Sequence, residues 1–247
     1  LLRRHAIARL LLDKGADPNA ADGLGYTALH HAAFGGDRQM VMLLLRSGAR
    51  ADAPSAPNKA APVDLAAEAG HFLLIPLFEA HSHCHTSPAH AAAILDDVPA
   101  LSALSAPSQA VVGVRDGIGR TPLHYSAALN NLRAARWLLA HGADPGARDR
   151  RGVTALHLSA EYCAAGTARL LLQYKAFPAP MDVGLSTPLH EAARTGCGTL
   201  VKLLLARGAG TSPLDQTHRT PLDLAVQVEA EDAVSVLTRA GARRGVR

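Results

Sequence analysis

The sequence predicts an all-α chain of stacked helix–turn–helix units, and three observations predict it. A four-residue phrase recurs: Thr-Ala-Leu-His at 27–30, Thr-Pro-Leu-His at 121–124, Thr-Ala-Leu-His at 154–157, Thr-Pro-Leu-His at 187–190 and Thr-Pro-Leu-Asp at 220–223, the last four starting 33 residues apart. A leucine-rich phrase keeps step with it at 10–17, 43–50, 138–144 and 203–210. The composition agrees: 48% of the residues are hydrophobic but only 4% aromatic, so small and medium side chains must fill a thin helical core rather than a β-sandwich.

Each part of the unit has a physical role. The phrase threonine opens a helix by capping an orphan amide, and Pro122, Pro188 or Pro221 follows at the first helical position, where a missing N–H costs nothing. The run behind it is short and rich in alanine, which lets neighbouring helices approach closely. A second helix carries leucines at three- and four-residue spacing, so that Ala135, Leu138 and Leu139 share a face. Gly142, Gly208 and Gly241 stop it on the same 33-residue grid, with Lys175 in the glycine's place in one unit. Polar, turn-rich stretches (115–120, 148–153, 215–219) connect the units and suit β-turns or hairpin tips. This gives a half-unit at 1–26, units starting at 27, 61, 87, 121, 154, 187 and 220, and one domain over 1–247. The chain begins at Leu1 inside a helix and reads as a fragment, with the half-unit's first helix expected upstream.

Phased over nearly the whole chain, these phrases resemble the ankyrin repeat. The resemblance implies an ankyrin-repeat solenoid, a stack of helix–turn–helix units with β-turn or hairpin loops projecting sideways. It also implies a non-catalytic protein–protein interaction module, a scaffold or adaptor that binds a partner protein through a concave groove and the hairpin tips. A second reading is the targeting segment of a larger enzyme whose catalytic domain lies outside the fragment.

Composition and motifs narrow the function classes. A net charge of +4 and a pI near 9.2 are too mild to indicate nucleic acid without a clustered patch, and none is expected as a partner. No apolar run reaches the ~18–20 residues of a membrane span, so no membrane insertion is expected. Cys84, Cys163 and Cys197 are odd in number and far apart, which predicts no disulfide, a reducing intracellular compartment (cytoplasmic or nuclear) and small packed thiols. No nucleophile elbow, phosphate-cradling glycine loop or paired zinc motif appears, so no cofactor is expected. The histidines His30, His124, His157 and His190 are periodic and read as structural buttresses.

The pattern breaks between 72 and 120. The unit at 61 has Asp64 in the histidine's place, Pro76 interrupts its second helix, and the next unit follows after 26 residues instead of 33. The contracted junction, 81–86, holds His81, His83, Cys84 and His85. These are candidate Zn²⁺ ligands by chemistry, but no second ligand pair lies elsewhere in the sequence, and a shortened linker is the preferred reading.

Candidate recognition residues are those that vary while the framework repeats. After the phrase histidine come His31, Tyr125, Leu158 and Glu191; further along lie Phe34, Leu129, Glu161, Tyr162 and Arg194. Tyr125, Leu158 and Tyr162 between Glu161, Glu191 and Arg194 predict an apolar groove centre with a charged rim. Arg115, Arg120, Arg148, Arg150, Arg151 and Arg219 fall on predicted tips and form a candidate basic strip, with exposure for solubility alone as the competing reading.

Overall fold

A computed structural model describes residues 2–55, 60–79, 87–104 and 110–245. They divide into two compact units, the first made of 1–91 with 115–118 and the second of 92–114 with 119–247. The first holds α1 (Leu2–Asp13), α2 (Ala28–Phe34), α3 (Arg38–Arg46), α4 (Pro62–Glu68), a 3₁₀ turn (Phe72–Leu74) and α5 (Ile75–Glu79), and α6 (Pro88–Ile94) crosses the division. The second continues with α7 (Val98–Leu104), α8 (Ala110–Gly113), α9 (Pro122–Ala128), α10 (Leu132–Ala140), α11 (Ala155–Glu161), α12 (Ala165–Gln173), α13 (Pro188–Arg194), α14 (Gly198–Ala206), α15 (Pro221–Gln227) and α16 (Glu231–Arg239). Among the described residues there is no β-strand; Ala21 with Thr27 and Arg148 with Thr154 form isolated antiparallel bridges. The all-α ankyrin-type architecture expected from the phrases is the one observed.

In the second unit α9, α11, α13 and α15 stack as one row and α10, α12, α14 and α16 as another. Helices of seven and nine residues are too short to persist alone, so their stability comes from this packing. Leu138, Leu171, Leu204 and Leu237, one period apart, are all fully buried. Each such burial is worth about 1.5–3 kcal/mol. Buried Ala127, Ala160 and Ala193 keep the first-helix row thin. The second helices end on left-handed residues as the grid requires, including Lys175 (φ 64) between Gly142 (φ 91) and Gly208 (φ 86).

The phrase histidine joins each repeat to the next. In α11 the amide and hydroxyl of Thr154 both reach His157 Nδ1 (3.1 and 3.0 Å). Because the amide can only donate, Nδ1 is the acceptor and the proton sits on Nε2, which donates to the carbonyl of Ser186 at 3.1 Å. The pattern recurs from His30 to Ala60 (3.2 Å), His124 to Val153 (3.1 Å) and His190 to Arg219 (3.2 Å), always to the residue before the next phrase. Burial pushes the pKa of His30, His157 and His190 down, which keeps the rings neutral. Asp223 reproduces only the capping half, accepting from the amide and hydroxyl of Thr220 at 3.0 and 2.9 Å, and it also takes the amide of Gly245.

The irregular region follows from its sequence. With Pro76 in place, the second helix after α4 is split into the 3₁₀ turn and a five-residue α5. His90 accepts the amide of Ser87 at 3.0 Å, the usual capping role. The candidate ligands His81, His83, Cys84 and His85 lie outside the described residues. Within the described residues, no group of three or more His, Cys, Asp or Glu is placed to hold a metal ion. No helix among them is long and apolar enough to cross a membrane.

Candidate functional site

The exposed edge of α11 and α13 gathers four of the predicted recognition residues. Arg194, in the last turn of α13, donates to Glu191 Oε2 from Nε (3.0 Å) and from Nη2 (2.6 Å), and its Nη2 stands 3.7 Å from Glu161 of the neighbouring repeat. Glu191 also accepts the hydroxyl of Ser186 at 3.0 Å. Tyr162, which caps the C-terminus of α11, is 40% exposed. One guanidinium thus bridges two carboxylates on consecutive repeats, with a phenol ring in the adjoining turn.

The electrostatics follow from crowding. Burial raises the pKa of Glu161, and the charge of Glu191 adds to it, while Arg194 pulls the other way. Burial also raises that of Tyr162, helped by Glu161. Burial works against the charge of Arg194, but the Glu191 hydrogen bond and the two carboxylates outweigh it and raise its pKa. The cluster offers charged hydrogen-bonding groups beside an aromatic surface, a combination suited to recognition.

Other predicted residues stand elsewhere. Tyr125 and Leu158 do not line an open groove: they are 0% and 1% exposed. α9 and α11 are packed among neighbouring helices, so the residue after their histidine faces packed side chains, and the Tyr125 ring centre lies 6.0 Å from the Arg120 guanidinium. Arg120 is not a surface tip residue either. It is 7% exposed, and its Nε donates to Asp149 at 3.3 Å, an internal strut between consecutive loops. Arg148, Arg150 and Arg151 are exposed as expected, with Arg148 Nη1 donating to the carbonyl of Met181 at 2.7 Å. Arg219 pairs with Asp215 at 3.0 Å. Arg115 falls in the first unit.

Two features escaped the sequence reading. The first is a disulfide between Cys163 and Cys197, with Cα atoms 5.7 Å apart, which corrects the expectation of unpaired thiols and removes that argument for a reducing compartment. Their separation of 34 residues is one period plus one, so stacking brings both to the same corner of adjacent repeats. Elsewhere that corner is tied by hydrogen bonds: Asp96 accepts the amide of Ala134 (2.7 Å) and Asn130 that of Thr167 (3.0 Å). The second is the aspartate series Asp116, Asp149, Asp182 and Asp215 on the 33-residue grid. Each accepts the amide two residues ahead, at 3.0, 2.8, 2.8 and 2.8 Å, and shapes its own loop tip.

Comparison with known proteins agrees with this geometry. The family model "Ankyrin repeats (3 copies)" matches residues 63–149, 89–182 and 177–246, and "Ankyrin repeats (many copies)" matches 2–45. Similar proteins include human ankyrin repeat and SOCS box protein 16, 46% identical over 68 residues, covering 27% of this chain and 15% of that protein. Mouse neurogenic locus notch homolog protein 1 is 32% identical over 141 residues, covering 57% of this chain and 4% of that one. Cyclin-dependent kinase inhibitor 2A of Monodelphis domestica is 43% identical over 70 residues, covering 28% of this chain and 40% of that one. The matched segments thus span well under two thirds of each of these relatives.

Proposed function

The chain belongs to the ankyrin repeat family, and on that premise we propose that it is a non-catalytic recognition module, a scaffold or adaptor surface that binds a partner protein. The supporting observation is the Glu161–Tyr162–Glu191–Arg194 cluster, which bridges two repeats and is partly exposed while the framework side chains of the same helices are buried. In this reading Tyr162 supplies an anchoring ring, Arg194 and the two glutamates fix the partner's orientation, and Arg148, Arg150 and Arg151 on the adjoining loops steer its approach. The relatives' names state cyclin-dependent kinase inhibition or notch homology for those proteins; for this chain only the binding of a protein partner is proposed.

The experiment is capture of partners from native extract by the whole chain, with quantified binding to variants. Tyr162→Ala combined with Arg194→Ala should weaken the captured partner's binding by about tenfold or more, at about 1–2 kcal/mol for each truncated contact. Arg150→Glu with Arg151→Glu should chiefly slow association and change its salt dependence. Wild-type affinity in the folded Tyr162/Arg194 variant refutes the reading.

A further inference from the structure

The loops of consecutive repeats in the second unit are laced tip to tip. Val183 donates its amide to the carbonyl of Arg151 at 2.9 Å, and Gln216 donates to Gly184 at 2.9 Å. Residues one period apart therefore lie side by side: Arg148, Met181 and Leu214 in one column, Arg150, Val183 and Gln216 in the next. The middle loop is apolar where its neighbour is cationic. Phe177 is 67% exposed, Val183 68%, and Met181, Leu185 and Leu214 between 45% and 47%. Beside them is an open cavity of about 480 Å³ lined by Arg148, Phe177, Pro180, Met181, Thr187 and Pro213.

Leu185 marks this exposure as more than chance. Its φ is +57, the left-handed region that disfavours a branched side chain; the same place is glycine in the two preceding repeats, Gly119 (φ 86) and Gly152 (φ 77), and the polar His218 (φ 59) in the next, so Leu185 is the apolar residue of the four. A leucine there strains the turn and still gains little burial, so neither folding nor solubility accounts for it.

The rim chooses the occupant. Arg148, Arg150 and Arg151 are exposed alongside the apolar tips. The carboxylates of these loops are already engaged: Asp149 by the amides of Arg151 and Val153 and by the buried Arg120, Asp182 by the amides of Gly184 and Ser186, and Asp215 by those of Thr217 and Arg219. A second copy of the chain would bring a cationic rim against a cationic rim, whereas an acidic segment neutralises it. We infer that the loop tips around Met181, Val183 and Leu185 form a docking surface for a partner segment in which apolar side chains alternate with aspartate or glutamate. The inference rests on the chain being a protein-binding module but places this contact outside the Tyr162–Arg194 cluster.

The test is selection of a random-peptide phage library on the immobilised whole chain. Enriched peptides should combine leucine, isoleucine or phenylalanine with acidic residues, and they should bind more weakly as salt rises. Val183→Arg should weaken them by about tenfold or more. Leu185→Gly should weaken them while raising the unfolding temperature, since it relieves the turn. Tyr162→Ala with Arg194→Ala should leave their binding unchanged, and the captured native partner's response to that pair tests the cluster separately. The inference is overturned by no enrichment, by enriched peptides without acidic residues, or by binding indifferent to Val183→Arg. Sedimentation showing a dimer that Val183→Arg dissolves also overturns it, because the occupant is then a second copy.

Discussion

Replacing His157 with alanine removes three hydrogen bonds at once. The ring is 2% exposed, accepts from the amide and hydroxyl of Thr154, and donates to the carbonyl of Ser186 in the next repeat. Without it the Thr154 amide loses its partner inside the stack, at about 1–3 kcal/mol, while the Ser186 carbonyl keeps the amide of Asp182 and gives up a second bond worth about 1 kcal/mol, so the expected loss is about 2–4 kcal/mol. His157→Asp should lose less, because Asp223 already shows a carboxylate serving the threonine amide and hydroxyl from the same place. The pH dependence carries the sharper test. Burial lowers the folded-state pKa of His157 below its ordinary 6.5, so the unfolded chain takes up the proton first as pH falls. The stabilisation is therefore complete above 6.5 and fades below it, by about 1.4 kcal/mol at most at pH 5.5. Urea titrations followed by circular dichroism and by the fluorescence of Trp137, the chain's single tryptophan, measure it. The difference between wild type and His157→Ala should shrink from pH 8 to pH 5.5. A difference that stays constant or grows refutes a neutral, accepting Nδ1.

Two further outcomes follow from the packing. Reducing the Cys163–Cys197 bond, which closes a separation of 34 residues, should lower stability by about 3–4 kcal/mol, read as a drop in the urea midpoint with dithiothreitol that a Cys163→Ser variant does not show. Amides of the five-residue α5, which has Pro76 in its first turn, should exchange with deuterium faster than those of the nine-residue α10, α12 and α14, and equal protection across these helices contradicts the weakness assigned to α5.

What the sequence made legible was the part that repeats. Thr154, His157 and Leu171 recur on the 33-residue grid because every repeat must cap, link and bury in the same way, so spacing alone revealed the architecture. Tyr125 was misread because helical spacing locates a residue on one helix and says nothing about the helices stacked against it. Cys163 and Cys197 look remote along the chain and become neighbours only when distance is counted modulo the repeat. Leu185 is visible as a departure from Gly119 and Gly152, but its exposure needed the laced loops. Arg120 reads as a tip charge until Asp149 is found beside it, buried in the next repeat.

The most direct measurement is a hydrogen-exchange footprint of the whole chain with and without its captured native partner. Binding should slow exchange in residues 158–162 and 191–195, and along 181–185 where the partner also engages the loop tips, while 28–46 in the first unit stays unchanged. Protection confined to 2–46, or none at a saturating partner concentration, contradicts recognition by the second unit.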